Sequence, residues 1–313
     1  MIPLPKVKNV RQDAQYALVR QYCENPFWME EYNRLFDDDL VVDFPHAPPG
    51  FYQHFSAFEF GFFRWWLRNI ILDWRPEGET TVIQTKDPNI VWAVYCCTAR
   101  MTLAKRECDY RNEHAVRFTI RDGRIVHIKD YFNPIRFYDA LGVRLPAFIY
   151  DPVDEFPSAR MPEDGASKFT LEQNVRRAFN NFANPIEVDG DPESIYTSDV
   201  VEVCPNAPYS MAESYTGKDF DVQTEWMFRI TAEWNSDPRN PAYETLDPDV
   251  IVVESDGYGH MLWSGADGHY CQRELQIAFL REGKVQHFRV YFNPLCKFYS
   301  MNQSIPSIPF LNF

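Results

Sequence analysis

The sequence predicts an α+β fold made twice, as two tandem cone-shaped barrels in which a curved antiparallel sheet wraps on helices. Three observations predict it. Residues recur at a constant offset of 160 along the chain. Each copy opens on helical patterns and closes on a run of alternating strands, the order of an α+β domain. The length, 313 residues, fits two domains of common size.

The repeat registers on Arg121/Arg281, Gly123/Gly283, His127/His287, Tyr131/Tyr291 and Pro134/Pro294, each pair 160 apart. Asp87-Pro88 and Asp247-Pro248, Trp74 and Trp234, and Pro45 and Pro205 keep the same offset. Upstream the best match changes to 159, aligning Asn25-Pro26 with Asn184-Pro185 and Val42-Asp43 with Val201-Glu202, so one extra residue is expected near Cys204. A two-copy repeat of this period is a domain duplication, since solenoid periods are shorter. The stretch from Leu145 to Lys168 is rich in Pro and charge and reads as a connector. The expected division is 1–150, linker 151–168 and 169–313.

Each copy begins with a helix, VRQDAQYALVRQYC in the first and TLEQNVRRAFNNFA in the second, where Thr170 and Gln173 have capping-box spacing. A second helix is predicted over AFEFGFFRWWLRNIILDW and DFDVQTEWMFRITAEW. Strand patterns follow: TTVIQTK, NIVWAVYCCTARMTL, HAVRFTI and RIVHIKDYF in copy one, with DVIVVES, ELQIAFL and KVQHFRVYF in copy two. The last hairpin of copy one is registered by matching apolar faces. Val116, Phe118 and Ile120 face Val126, Ile128 and Phe132 if the loop is Asp122-Gly123-Arg124.

That register sets Asp130 on the apolar face opposite Val116, with His114 one pair further along. A carboxylate facing an apolar interior loses hydration, which raises its pKa above about 3.9 and suits it to acid–base work. Two alternatives stand beside this: a one-residue slip that turns Asp130 to solvent, and a structural hydrogen bond in the core. Copy two has Val290 at that position, Glu274 for His114, Gln276 for Val116 and Glu254 for Val94, so its pocket is expected to be chemically different. The catalytic candidates are Asp130, His114 and His46, the last on the loop after Pro45 at the expected mouth of the cone. A loop histidine is equally at home solvated or hydrogen-bonded.

Trp65, Trp66 and Trp92, with Phe118 and Phe132, are candidate walls for a flat ligand, and Arg68 a candidate carboxylate clamp. The aromatics serve equally as core, and Arg64 and Arg68 as surface ion pairs. Glu254, Glu274 and Gln276 are the polar candidates of the second pocket. The glycines between Gly257 and Gly268 lie among strands, which argues against a phosphate loop. His260, His269 and Asp267 lack compact ligand spacing, and neither metal nor cofactor is expected.

A net charge of −14 argues against nucleic acid. No run of apolar residues reaches membrane-spanning length, and the N-terminal stretch lacks a signal-peptide core. Seven irregularly spaced cysteines fit a reducing cytoplasm.

The run Asp87-Pro88-Asn89, the R-D-G-R-I segment, Asp130-Tyr131-Phe132-Asn133-Pro134 and Ala140-Leu141-Gly142 resemble the phenazine biosynthesis A/B family, within the ketosteroid-isomerase-like (SnoaL-like, NTF2-like) superfamily. Copy two resembles it through Glu254, Asp256-Gly257, Gly259, Gly283 and Tyr291 to Pro294. The resemblance implies a cone that binds a small, flat, often carboxylated molecule without metal or organic cofactor. It also implies dimerisation, which tandem fusion would build into one chain, with further association into a homodimer open to it. In the family an acidic residue before F-N-P assists condensation of ketone-bearing molecules through imine chemistry, and Asp130 occupies that place. The helix before Trp74 departs from the family pattern, carrying Phe63 and Leu67, with Gln223 and Met227 in copy two. The expected function is therefore a cofactor-independent condensation, cyclisation or isomerisation of a small cyclic or aromatic, carboxylated intermediate in natural-product biosynthesis, with copy one, residues 1–150, as the active copy and acid–base catalysis there. A carrier or pseudoenzyme of the same fold is the alternative.

Overall fold

The protein is described by a computed structural model covering residues 2–24, 34–103, 106–146, 170–183, 195–209, 211–236, 241–263 and 266–308. Linker residues 151–168 and the pairs Asn25-Pro26 and Asn184-Pro185 lie outside the described residues. The chain divides into two units: 6–145 with 306–313, and 146–305 with 1–5. Each terminal segment therefore belongs to the unit of the other copy. Tyr138 Oη donates to the Pro306 carbonyl at 2.8 Å in the first unit, and the Arg289 guanidinium donates to the Ile2 carbonyl in the second.

Copy one runs α1 (Ala14–Glu24), β1 (Phe36–Asp43), β2 (His54–Ser56), α2 (Ala57–Ile70), β3 (Ile71–Gln84), β4 (Ile90–Leu103), β5 (Arg106–Arg121), β6 (Arg124–Phe132) and α3 (Ile135–Leu141). Copy two runs α4 (Leu171–Ala183), β7 (Tyr196–Val203), β8 (Ser214–Thr216), α5 (Lys218–Ile230), β9 (Thr231–Ser236), β10 (Ala242–Glu244), β11 (Val250–Trp263), β12 (Ala266–Arg281), β13 (Lys284–Tyr291) and α6 (Pro294–Ser300). The strand orders are β2-β1-β6-β5-β4-β3 and β10-β11-β12-β13-β7-β8, with β9 also on β11. The α+β architecture is as expected, but the sheets are not wholly antiparallel. β1 lies parallel to β6 and β7 parallel to β13. These early strands escape sequence reading because their partners lie some 85 residues away, as Val41 opposite His127 shows.

Local chemistry sets the element ends. Ser56 and Glu59 form a reciprocal capping box that starts α2, and Thr170 and Gln173 do the same for α4 at 2.8 and 3.2 Å. The helix predicted through Trp74 stops at Ile70, where β-branched residues enter β3 directly.

The β5–β6 hairpin turns on Asp122-Gly123, both at positive φ (51° and 74°), so the loop has two residues rather than the expected three. A bulge between Thr119 and Ile120 leaves Val126 over, and beyond it Phe118 pairs with Ile128 and Val116 with Asp130. Ile125 thereby replaces Val126 on the buried face, while Asp130 keeps the place expected of it.

The register also corrects the repeat. Val41, Val42 and Asp43 pair with Ser56, Phe55 and His54, and Val201, Glu202 and Val203 pair with Thr216, Tyr215 and Ser214. The offset is thus 160 in these strands, with no extra residue near Cys204. Glu202 stands in the place of Val42, facing the interior of copy two.

Candidate active site

The helix that follows the F-N-P element contributes one residue to the cavity of each copy, and an amide network fixes that helix. Asn112 Nδ2 donates to Tyr110 Oη (2.7 Å) and to the Asn133 carbonyl (3.0 Å), while Asn133 Oδ1 accepts from Ile135 N (3.0 Å). In copy two Gln272 Nε2 donates to Tyr270 Oη (2.7 Å) and to the Asn293 carbonyl (3.1 Å), and Asn293 Oδ1 accepts from Leu295 N (3.0 Å). Each network holds one position of the final helix against the cavity: Phe137 in copy one, Lys297 in copy two.

Copy one is nearly filled. Its cavity is ≈ 70 Å³, hemmed by Phe44, Phe51, Phe63, Phe132 and Phe137 in edge-on contacts. Ligand pockets run to roughly 300–1,000 Å³. At its wall His114 Nδ1 lies 2.9 and 3.1 Å from the two Asp130 carboxylate oxygens, and the imidazole stacks on Tyr95 at 5.0 Å. Both side chains are almost buried, at 12% and 6% exposed. Burial pulls the His114 pKa down, but the Asp130 charge outweighs it and, with Asp130 and Cys97 as hydrogen-bond partners, holds it at about 10. The pair is a buried bridge between an imidazole and a carboxyl group.

The other candidates of copy one separate by sheet face. Phe132 lines the cavity. Phe118 is fully buried edge-on to Tyr22 at 5.0 Å, as core beneath the cavity rather than wall. Trp92 pairs with Arg117 and not Val116, which puts it on the face opposite Asp130, against Tyr131. Trp65 is 62% exposed, Arg68 is also exposed, and Trp66 stacks on Phe63 without reaching the cavity. Helical spacing turns these three away while Phe60, Phe63 and Leu67 point in. His46 is not at an open mouth. It is fully buried, edge-on to Tyr131 at 5.1 Å, and its counterpart Asn206 donates to the Phe292 carbonyl at 3.1 Å. That loop position braces the end of the last strand.

Copy two is open inside. Its cavity measures ≈ 540 Å³, and the difference follows from substitutions at matched positions. Phe44, Phe51, Phe63 and Tyr95 become Cys204, Met211, Gln223 and Ser255, all of them lining residues. Trp234 lies flat over β11, and a Cβ on Gly257 would meet its ring at 2.1 Å. The glycines of this stretch thus serve sheet packing.

Four charged side chains line this cavity, Glu202, Glu233, Glu274 and Lys297, and burial shifts three of them. Burial raises the Glu202 pKa to about 7, against the hydrogen bond from Cys204 Sγ at 3.7 Å and with the Glu274 charge adding to the rise. Burial also raises Glu274, opposed by the donated bond from Gln276 Nε2 at 3.2 Å. Lys297 is 3% exposed, its ammonium over the rings of Phe292 (4.8 Å) and Tyr270 (5.7 Å), and burial lowers its pKa against the pull of Glu274.

Glu274 and Gln276 lie where expected, but Glu254 does not. It pairs with Leu275, so it faces away from the cone, and its carboxylate accepts from Tyr243 Oη at 2.7 Å. Glu202 and Lys297 escaped the sequence reading. A constant offset of 160 would have set Glu202 against Val42 and Lys297 against Phe137. His260 and His269 face each other across β11 and β12 with rings 4.3 Å apart, and the Asp267 side chain lies outside the described residues. Among the described residues no group of three or more His, Cys, Asp or Glu side chains could hold a metal ion. No described helix is long and apolar enough to cross a membrane.

Residues 213–310 match the family model described as phenazine biosynthesis protein A/B. The uncharacterized protein YesE of Bacillus subtilis is 28% identical over 116 residues, covering 36% of this chain and 76% of YesE. Phenazine biosynthesis protein PhzA1 of Pseudomonas aeruginosa is 31% identical over 85 residues, 27% of this chain, so the match spans about half (52%) of PhzA1. The crystal structure of the phenazine biosynthesis-related protein phzb2 from Pseudomonas aeruginosa is similar with a TM-score of 0.39 and 19% identity, covering 49% of this chain and 96% of that one. Residues 213–310, which run from β8 through α6, are thus similar to the phenazine biosynthesis A/B family, and the matched strand orders show that the same α+β architecture is present in both copies.

Proposed function

We propose that the cone of copy two is the active site of a cofactor-independent acid–base enzyme, acting on a small cyclic or aromatic intermediate of natural-product biosynthesis. The reaction class is isomerisation, cyclisation or condensation. The observation that carries the reading is a ligand-sized cavity in which two of the three wall carboxyl groups, Glu202 and Glu274, are held above the ordinary carboxylate range by burial. An acid that titrates near neutrality can both take and return a proton at working pH. Gln223, Gln276 and Ser255 offer hydrogen bonds to orient a polar group of the ligand, and Phe220, Met227 and Phe288 supply apolar wall. In this reading copy one is a supporting half, its Asp130–His114 pair locked in a filled core.

The test is proton exchange. A cyclic keto acid such as 4-oxocyclohexanecarboxylate in D₂O should lose its α-protons faster with the protein than without. The double variant Glu202→Gln, Glu274→Gln should lower that acceleration by about 10²- to 10⁴-fold, the usual contribution of general acid–base catalysis. Equal exchange by wild type and variant would overturn the assignment. Saturable binding with no exchange would make the protein a carrier.

A further inference from the structure

We propose that Lys297 is a Schiff-base nucleophile, condensing through its amine with the ketone or aldehyde carbon of a cyclic or aromatic ligand held in the cone of copy two. The inference rests on the reading of that cone as a ligand site and adds the electrophile the ligand must carry.

The geometry is that of a reactive amine rather than a surface lysine. The side chain rises from the middle of the seven-residue α6, whose start is fixed by the bond from Leu295 N to Asn293 Oδ1. It is 3% exposed yet borders a cavity of ≈ 540 Å³, over the faces of Phe292 and Tyr270. Copy one needs no cation there and carries Phe137. Burying an ammonium costs several kcal/mol, so a lysine in a position that accepts an aromatic ring calls for a chemical reason. Desolvation lowers its pKa and enlarges the neutral, nucleophilic fraction. Glu274 and Glu202 are the acidic side chains whose charges reach it, and burial raises both, Glu202 to about 7.

The step balances without an oxidant or reductant. The neutral amine attacks the carbonyl carbon, forming the C–N bond as the C=O electron pair moves to oxygen, which takes a proton. The carbinolamine nitrogen gives up one proton to a carboxylate. A carboxylic acid protonates the hydroxyl, which leaves as water as the nitrogen lone pair forms C=N. The resulting iminium acidifies the adjacent C–H, the bond that the proposed acid–base pair would then work on.

Borohydride trapping tests it on the full-length protein. Wild type is incubated with 4-oxocyclohexanecarboxylate, or with benzaldehyde as a neutral aromatic probe, then reduced with sodium cyanoborohydride and mapped by peptide mass spectrometry. The expected result is a reduced adduct concentrated on Lys297 and lost in both Lys297→Met and Lys297→Arg, with circular dichroism unchanged. Labelling spread evenly over surface lysines, or equal total labelling in Lys297→Arg, would overturn the proposal. The carbonyl-free 4-hydroxycyclohexanecarboxylate separates the two readings. If it binds copy two while neither carbonyl probe marks Lys297, the imine falls and the ligand site stands. If neither it nor the carbonyl probes engage copy two, both fall.

Discussion

Asp130→Asn should destabilise copy one by about 3–5 kcal/mol at neutral pH, the usual cost of removing one partner from a buried ion pair. The variant leaves His114 in the core without the carboxylate that now holds it at 2.9 Å. The pH dependence has a definite sign. The His114 pKa is raised in the folded state, from 6.5 to about 10. Its contribution is therefore complete below about pH 6.5 and disappears as pH rises through about 10. Wild type and variant should differ most at the lower end of that window and converge above pH 10. Denaturation of the full chain, with hydrogen exchange read on the β5 and β6 amides, checks this. Equal stability at pH 7 would mean that the pair contributes nothing. Ligand binding in copy two should survive the substitution, which separates a structural pair from a catalytic one.

Filling the second cone with the side chains of the first should abolish ligand binding. Met211→Phe, Gln223→Phe and Ser255→Tyr restore the aromatic residues found at Phe51, Phe63 and Tyr95. Copy one shows that this backbone accommodates such a packing, so the triple variant should fold. The cavity should contract towards the ≈ 70 Å³ of copy one, and affinity should fall by about 100-fold or more, ~2.8 kcal/mol. Titration by calorimetry with 4-hydroxycyclohexanecarboxylate measures it. Unchanged affinity in a folded variant would place the ligand elsewhere.

The duplication was legible because matched residues keep one offset through turns and strands, from Pro45/Pro205 to Pro134/Pro294. The pairing of Asp130 with Val116 was legible too, because burying one face specifies register to a single residue. The miscounted hairpin loop did no harm there, since the bulge at Val126 supplied the missing residue. β1 was not legible. It reads FDDDLVVD, and its parallel pairing with β6 is set by tertiary contact. Misplacing it by one residue hid Glu202, since a shift of one turns a strand residue to the other face. Trp92 and Glu254 failed as wall residues for the same reason of face. Lys297 was hidden by its setting, a single charge in an otherwise apolar final helix. Cavity size was out of reach altogether. It depends on the summed volumes of Phe44, Phe51, Phe63 and Tyr95 against Cys204, Met211, Gln223 and Ser255, brought together from distant parts of each copy.

The central claim is that the ligand enters copy two and not copy one. Methionine methyl groups report on both cones at once. Met211, Met227 and Met261 line the large cavity, and Met101 lines the small one. With ¹³C-methyl methionine in the full-length protein, titration with 4-hydroxycyclohexanecarboxylate should move the signals of Met211, Met227 and Met261 along one saturation curve and leave Met101 in place. Saturable movement of Met101 with the other three unmoved would contradict the account.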